Sequence, residues 1–206
     1  GFLGSYVADE LTRRSYDVTV ADLKPSQFLS PRQKYEECNI LDLARTRQLV
    51  EQAEIVYNFA GLADLNKAIN QPIETIRLNV EGNLNILESC RESKIKRFIY
   101  ASSAYAFNTK GSFYGISKHT SEKLVEEYFN RYGLEFTIIR YGSLYGERAN
   151  ESNYIFNLLK HAIEKKEIIL KGDENEAREY IHAADAAKLS VDIIESKEYV
   201  NTHLIL

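Results

Sequence analysis

Residues 1–22 read GFLGSYVADELTRRSYDVTVAD, a glycine pair followed by a helical pattern and then by a strand pattern. Apolar side chains at positions 6, 7 and 11 share one face of a helix, which predicts a helix over residues 5–13. Residues 16–22 alternate between apolar and polar side chains and end in an acid, which predicts a strand. A helix that leads into a strand is the unit from which α/β sheets are built.

The glycines and the acid have the spacing of a nucleotide site. Asp22 lies 21 positions after Gly1. Two glycines at a helix start, followed at about that distance by a strand-end acid, are typical of the second half of a dinucleotide fingerprint. The glycines let the backbone approach a pyrophosphate, and the acid bonds ribose hydroxyls. A loop glycine pair and a turn aspartate would produce the same two features, so the pattern needs support from the rest of the chain.

Strand and helix patterns alternate along the chain. Strands are predicted at 35–39, 54–59, 98–101 and 135–140, and helices at 41–51, 65–90 and 115–132, the second of them interrupted near Gln71-Pro72. Strands that alternate with helices indicate a parallel sheet with both faces covered. The predicted fold class is therefore α/β, a doubly wound parallel sheet of the Rossmann-like type.

Ligands of an open parallel sheet lie beyond the carboxyl ends of its strands, so the residues that follow each strand should line one crevice. Those residues are Asp22, Asn39, Ile40, Phe59, Ala60, Gly61, Ser102, Ser103, Tyr141, Gly142 and Ser143. Small residues at 60 and 61 permit close approach of a cofactor, and the Ser103 hydroxyl can bond a substrate oxygen.

The stretch Tyr114-Gly-Ile-Ser-Lys118 follows Ser103 and provides the chemistry. Side chains four residues apart on a helix project from one face, one turn apart. A free tyrosine has a pKa of about 10, and a fixed cation beside it favours the phenolate and lowers that pKa. Among the 14 tyrosines only Tyr114 has a lysine four residues later, although chance alone could produce one such pair. The pair is a candidate for proton transfer.

Composition excludes several classes of protein. The chain has 206 residues, of which 44% are hydrophobic and 27% charged, with a net charge of -4, so it is long enough for one sizeable core. Because no basic stripe is present, nucleic acid is not the expected partner, and no apolar stretch is long enough to cross a membrane. Two isolated cysteines favour a reducing compartment, the cytoplasm, and the four histidines lack the spacing of a metal site.

Seven segments carry a resemblance to a known family. In chain order they are GFLGSYVADEL, VYNFAGLAD, NVEGNLNILESC, RFIYASSAYAF, FYGISKHTSE, IIRYGSLYGER and REYIHAADAA. The sequence resembles the extended short-chain dehydrogenase/reductases, specifically their nucleotide-sugar epimerase/dehydratase branch, almost from end to end. The resemblance implies NAD as the cofactor, a nucleotide sugar as the substrate, and hydride transfer from a sugar carbon as the chemistry.

The resemblance also implies which residues form the site. Ser103, Tyr114 and Lys118 would be catalytic, with Ser103 on the sugar hydroxyl being oxidised and Lys118 on the nicotinamide ribose. The cofactor-binding residues would be Gly1, Phe2, Leu3, Gly4, Asp22, Asn39, Ile40, Phe59, Ala60, Gly61, Asn79, Tyr114, Lys118 and Tyr141. The substrate-binding residues would be Ser103, Ser143 and Arg178, the last of them on the diphosphate. Asn79 could instead tie a loop, and Arg178 could be a surface ion-pair residue.

Several positions depart from the family pattern. Asn39 stands where the family often has aspartate, Asn58 replaces a frequent histidine, and Gly142-Ser143 replaces a common Phe-Asn pair. Only ten residues separate Ser103 from Tyr114, a shorter loop than is usual beside the sugar. Dehydratase relatives place acids directly after the catalytic hydroxyl, whereas alanine and tyrosine follow Ser103 here. This difference favours reversible oxidation over dehydration.

The implied function is NAD-dependent epimerisation of a nucleotide sugar by transient oxidation at a sugar carbon. One alternative is an NAD-dependent reductase or dehydrogenase, and another is a non-catalytic NAD-sensing module of the same fold. A sensor would have no reason to keep Ser103, Tyr114 and Lys118. The resemblance also implies a homodimer that forms through the helices around 65–90 and 115–132.

The resemblance divides the chain near residue 142. Residues 1–142 would form the NAD-binding domain and residues 143–206 part of a substrate-binding region, with 178–195 returning to the main domain. In the family's sheet the first strand lies between those represented here by residues 17–22 and 54–59. We therefore expect the 206 residues to lack a first strand and a C-terminal end, and to be poorly stable and inactive by themselves.

Overall fold

The computed structural model describes residues 1–107, 111–168 and 179–206. The strands in these ranges are β1 (Thr19–Asp22), β2 (Lys34–Glu37), β3 (Ile55–Asn58), β4 (Arg97–Ser103), β5 (Phe136–Tyr141), β6 (Ser143–Tyr145), β7 (Tyr180–His182) and β8 (Thr202–Ile205). The α-helices are α1 (Phe2–Arg13), α2 (Leu43–Val50), α3 (Leu65–Asn70), α4 (Pro72–Ile76), α5 (Gly82–Ser93), α6 (Ser112–Tyr132), α7 (Tyr154–Lys165) and α8 (Ala183–Asp192). A π-helical segment, Arg77–Glu81, joins α4 to α5, and a 3₁₀ turn, Ala104–Phe107, follows β4.

The strands pair in parallel throughout these ranges. β3, β4, β5 and β8 form a four-stranded sheet in that order, while β1 pairs with β2 and β6 with β7. Within the described part of the chain, β1 and β3 are not hydrogen-bonded to each other. The parallel α/β architecture predicted from the alternation of strands and helices is confirmed.

Helices cover both faces of the four-stranded sheet. Successive side chains of a strand point to opposite faces, and Ile138 and Ile139 of β5 are both fully buried. Ile138 lies in one core cluster with Leu87 of α5, whereas Ile139 lies in another with Ala186 of α8. Two covered faces are the feature that a doubly wound sheet requires.

Helix α8 packs on helix α1. Ala187 and Val191 of α8 share a core cluster with Val7 of α1. Beyond the end of α1, Arg14 donates from Nη2 to Asp192 Oδ1 at 2.5 Å. The chain after β7 is therefore held against its first helix by both apolar and ionic contacts.

Local sequence signals explain where the helices begin and end. Asp42 and Asp64 each accept a backbone N–H of the first turn of α2 and α3, both at 3.0 Å. Pro72 begins α4 and produces the predicted interruption, and α6 ends at Gly133 with a φ of +71°. α1 begins at Phe2, earlier than predicted, because the glycine turn leads directly into it. In the described ranges no helix is both long enough and apolar enough to span a bilayer.

Candidate functional site

The end of β4 meets the first turns of α6 and brings three predicted catalytic residues together. The Ser103 side chain lies near the Tyr114 phenol and lowers its pKa, and the Ser103 hydroxyl accepts from the Tyr105 backbone N–H at 3.3 Å. One turn after Tyr114, Lys118 Nζ donates to the carbonyl of Ala101 at 2.8 Å. A phenol, a hydroxyl and an ammonium thus lie at the carboxyl end of the sheet, where ligands of such sheets bind.

Tyr114 is buried, with 8% of its surface exposed. Burial raises the pKa of its phenol, and the hydrogen bond with Ser103 opposes that rise. The Tyr105 ring meets the Tyr114 ring edge-on, with 6.4 Å between centroids. Tyr114 therefore holds its proton at neutral pH when only the residues of this chain surround it.

Lys118 is buried as deeply, with 6% of its surface exposed. Its Nζ lies 4.8 Å from the centroid of the Tyr100 ring and 5.9 Å from that of Tyr114. Burial lowers the pKa of Lys118 to about 8, and the charge of Glu122 opposes that change. The expectation that this lysine lowers the tyrosine pKa is not met by the chain's own residues, because burial disfavours the charged form of both groups.

The glycine turn brings the two ends of the predicted nucleotide fingerprint together. Gly1 precedes the first turn of α1, and its nitrogen lies 3.7 Å from Asp22 Oδ2 at the end of β1. The first N–H groups of a helix have no intrahelical acceptor and attract phosphate. Phe2, Leu3 and Gly4 form that first turn, and a Cβ added to Gly4 would stand 3.5 Å from the Phe59 side chain.

Asn79 ties the loop after β3 to helix α6. Its Oδ1 accepts from the Leu62 backbone N–H at 2.7 Å, and its Nδ2 donates to Leu62 O at 3.0 Å and to Ser117 Oγ at 2.8 Å. Gly61, beside this tie, has a φ of +142°. The amide of Asn79 thus ties the loop after β3 to α6, as in the loop-tying alternative considered for it.

Other predicted cofactor residues line the same end of the sheet. Asn39 lies just after β2 and accepts from the Leu41 backbone N–H at 3.0 Å. Ile40 packs on α5 so closely that a Cβ added to Gly82 would stand 2.5 Å from its Cδ1. Ala60 donates its backbone N–H to Asn58 Oδ1 at 3.0 Å. These contacts fix the strand-end loops in place.

Two predicted residues of the described ranges lie apart from this cluster. The side chain of Tyr141 is buried on the sheet face covered by α8, where its hydroxyl bonds Ser190 Oγ at 2.6 Å. Ser143 begins β6 and pairs in register with Tyr180. Arg178 lies outside the described residues. Only the backbone of Tyr141 reaches the strand end.

The residues of this end of the sheet fit a dinucleotide. The start of α1 offers backbone donors for phosphate, the Asp22 carboxylate is 46% exposed at a strand end, and Lys118 uses one of its three donors on Ala101. Anion donors, a ribose acceptor and a buried ammonium are the groups that a nicotinamide dinucleotide requires.

The sequence interpretation missed Glu122 and Arg140, and it gave Ser102 only as one of the residues at a strand end. Glu122 follows Lys118 by one helical turn and is fully buried. It accepts hydrogen bonds from Ser102 Oγ at 2.5 Å and from Arg140 Nε at 2.9 Å. A carboxylate at position four after Lys118 was the available signal, because it continues the Tyr114–Lys118 face of the helix.

The loop glycine gives a first testable prediction. Replacing Gly61 with alanine should lower the melting temperature and weaken NAD binding about tenfold, because φ at +142° is strained for alanine and its Cβ would stand 2.5 Å from Asn79 Oδ1. Gly133→Ala is the matched control, since φ there is also positive but nothing lies within 4 Å. Thermal melting and an NAD titration of both variants check this. Equal NAD affinity in the two variants would contradict it.

A buried tyrosine, a lysine one helical turn later and a serine at the end of a doubly wound parallel sheet are the arrangement of the short-chain dehydrogenase/reductase class, which the sequence resembles. The family comparison is more specific. The chain belongs to the NAD dependent epimerase/dehydratase family, whose model matches residues 1–204. NAD is therefore its cofactor.

Individual relatives agree with this assignment. The putative UDP-glucose 4-epimerase of Methanocaldococcus jannaschii is 27% identical over 98% of this chain and 73% of its own length. The UDP-N-acetyl-alpha-D-glucosaminuronate decarboxylase of Bacillus cytotoxicus is 28% identical over 100% of this chain and 71% of its own. The crystal structure of the UDP-glucose 4-epimerase of Thermotoga maritima with UDP-glucose has a TM-score of 0.90 at 24% identity, covering all of this chain and 74% of that one. This last likeness confirms the fold.

Proposed function

We propose that the protein catalyses NAD-dependent epimerisation of a nucleotide sugar by transient oxidation at a sugar carbon. The observation that carries the proposal is the buried cluster of Ser103, Tyr114 and Lys118 at the end of β4. Alanine and tyrosine follow Ser103, so the acids that dehydration requires are absent from those two positions. Reversible oxidation needs only a proton carrier and a hydride acceptor.

Each residue of the cluster has a part in this reaction. Ser103 binds the sugar hydroxyl and holds it beside the Tyr114 oxygen. Tyr114 takes the hydroxyl proton as general base and returns it as general acid when the ketone is reduced on its opposite face. Lys118 holds the nicotinamide ribose and favours the phenolate by its charge. When bound, NAD supplies the hydride acceptor and a positive charge beside the phenol.

The two parts of the chain divide the work in this proposal. Residues 1–142 bind NAD, and residues 143–206 contribute to the sugar-nucleotide site, with 178–195 returning to the main domain. The packing of α8 on α1 supports that return. Ser143 would contact the sugar, and Arg178 the diphosphate, for which a guanidinium is suited by its two parallel donors.

The test is product analysis with a panel of nucleotide sugars, with and without added NAD. An epimerase converts a sugar to its epimer with no net change in NADH absorbance. Net formation or consumption of NADH would instead identify the reductase or dehydrogenase alternative. Tight NAD binding without turnover of any sugar would identify the sensing module.

We further propose that the protein forms a homodimer through the helices around 65–90 and 115–132. Large apolar side chains are exposed on neighbouring helices there, namely Ile69, Ile73, Ile76, Leu84 and Ile116. Exposed apolar clusters of this kind mark association surfaces. A second copy is the proposed occupant, because two-fold pairing would bury the same isoleucines on both chains.

A charge in this surface should prevent dimerisation. Ile73 is 79% exposed, so Ile73→Glu should leave the fold intact while weakening the dimer about a hundredfold or more, since a carboxylate would be buried in each copy. Ile163→Glu is the control, because that exposed isoleucine lies on α7, outside the proposed surface. Sedimentation velocity over a concentration series measures the effect. A dimer unchanged by Ile73→Glu contradicts the proposed surface.

The cysteines support a cytoplasmic location for the protein. Cys38 and Cys90 are both free and buried, and burial raises the pKa of each thiol. Buried, protonated thiols without a disulfide fit a reducing compartment.

A further inference from the structure

Consecutive residues of β4 are tied to positions four residues apart on α6. Two of the ties are hydrogen bonds, from Lys118 Nζ to Ala101 O and from Ser102 Oγ to Glu122 Oε1. The third is the approach of the Ser103 side chain to the Tyr114 phenol, whose pKa it lowers. Because both elements carry partners of the proposed proton transfer, their register sets the distance between hydroxyl and phenol. The tie through Glu122 is the one that the proposed reaction does not use.

Glu122 is held by a two-point ion pair. Its Oε1 accepts from Arg140 Nε at 2.9 Å and its Oε2 from Arg140 Nη2 at 2.6 Å. The two side chains are only 1% and 14% exposed. A buried pair of this kind contributes little net stability, since desolvation of both charges opposes their attraction. A contribution to stability alone therefore does not explain why these two charges are buried beside Lys118.

Arg140 also reaches the turn that follows the serine strand. Its guanidinium carbon lies 3.6 Å from the centroid of the Phe107 ring, and that ring is 57% exposed. Phe107 ends the 3₁₀ turn that begins directly after Ser103. The ion pair thus contacts α6 through Glu122, β4 through Ser102, and the exposed turn through Phe107.

We propose that Glu122 and Arg140 form a positioning pair. In this pair Glu122 keeps Lys118 in its charged form, Arg140 holds Glu122 in place, and the two together hold Ser103 in register with Tyr114. The catalytic meaning of this pair rests on the proposed function. Neither residue is proposed to touch the substrate or NAD. Each acts through the residues that it holds.

Burial is the main influence on the pKa of Lys118, and the charge of Glu122 opposes it. In the described ranges, the titratable groups that face Lys118 or Glu122 are Tyr100, Tyr114, Arg140 and, from β8, His203, which itself lies 3.2 Å from Glu126. Burial raises the pKa of Tyr100 and of Tyr114, so both phenols are neutral at physiological pH. In the described part of the chain, Glu122 is the anion whose charge acts on the pKa of Lys118.

Removing the charge of Glu122 and removing the charge of Arg140 should shift the pKa of Lys118 in opposite directions. Glu122→Gln removes the anion and leaves Arg140 buried alone, and both changes disfavour the ammonium, so the pKa of Lys118 should fall by on the order of one unit. Arg140→Gln leaves the carboxylate uncompensated, which favours the ammonium, so the same pKa should rise. If the pair had a merely structural role, both variants would be less stable, but the pKa of Lys118 would not move in opposite directions in them.

The experiment is an NMR titration of protein labelled with ¹³C at the lysine Cε, with the Lys118 resonance assigned by its loss in Lys118→Met. Glu126→Gln is the control, since Glu126 lies one turn further along α6 and pairs with Lys123. We expect no change in the pKa of Lys118 in that variant. Shifts in the same direction for Glu122→Gln and Arg140→Gln, or no shift in either, would overturn the proposal.

A double variant covers the case in which a single variant does not fold. Glu122→Gln with Arg140→Gln leaves neither charge buried alone, which avoids the destabilisation caused by an uncompensated buried charge. The pKa of Lys118 should then lie below that of the parent but above that of Glu122→Gln, and a value equal to the parent's would overturn the proposal. The titration needs no substrate, so a protein inactive on every sugar but showing these shifts would count against the proposed function alone.

Discussion

Replacing Tyr114 with phenylalanine is expected to lower turnover of the nucleotide sugar about a thousandfold. Phenylalanine keeps the ring packing against Tyr105 but removes the oxygen that would carry the proton. NAD affinity should stay within a few-fold of the parent, because the cofactor contacts proposed for Lys118 and Asp22 are untouched. Steady-state kinetics with the best substrate of the panel, together with an NAD titration, measure the two effects separately.

The matched control for this prediction is Tyr132→Phe. Tyr132 ends the same helix and is exposed, so the identical chemical change there should leave turnover unchanged. If Tyr114→Phe retained turnover within a few-fold of the parent, the phenol would not be the proton carrier. If turnover and NAD binding fell together, Tyr114 would be needed for the site to form rather than for proton transfer.

The second large effect concerns the choice of cofactor. The Asp22 carboxylate should make binding of NADP at least about a hundredfold weaker than binding of NAD, a difference of about 2.7 kcal/mol, because it would repel a 2'-phosphate. Arg13 and Arg14 cannot offset this repulsion, since both are engaged in ion pairs with acidic residues of α1 and α8. Lys24 is a further cation nearby and is exposed.

Affinity measurements for both cofactors check this expectation in the parent and in two variants. Asp22→Asn should reduce the preference for NAD over NADP, because it removes the charge that repels the 2'-phosphate. Asp17 is an exposed acid just before β1, and Asp17→Asn should leave that preference unchanged. Tighter binding of NADP than of NAD by the parent would show that Asp22 does not contact the ribose, and would point to Lys24.

The sequence predicted most of the fold because the relevant signals are local. The periods of strands and helices can each be read from a few neighbouring residues, and Pro72 marked the interruption before α4. The Tyr114–Lys118 pair was readable for the same reason, since its spacing is that of one helical turn. The glycine pair and Asp22 became informative once the alternation showed that they belong to a parallel sheet.

Contacts between distant parts of the chain could not be read in this way. Asn79 reaches Leu62 across 17 positions, and Arg140 reaches Glu122 across 18. The spacing of Tyr114 and Lys118 reveals a neighbouring charge but not how deeply both groups are buried, so the rise that burial causes in the Tyr114 pKa could not be predicted. Burial depends on packing, which no local pattern records.

The π-helical segment Arg77–Glu81 determines which side chains of the following helix, α5, face their partners in the fold. Such a turn amounts to one residue inserted into an otherwise continuous helix. Deleting a single residue there would leave a helix but rotate α5 by about 100°. Gly82 would turn away from Ile40, and Asn83 would lose the 2.8 Å hydrogen bond from Asn58 Nδ2. The contacts of α5 with Ile40 and Asn58 therefore depend on the number of residues in this segment.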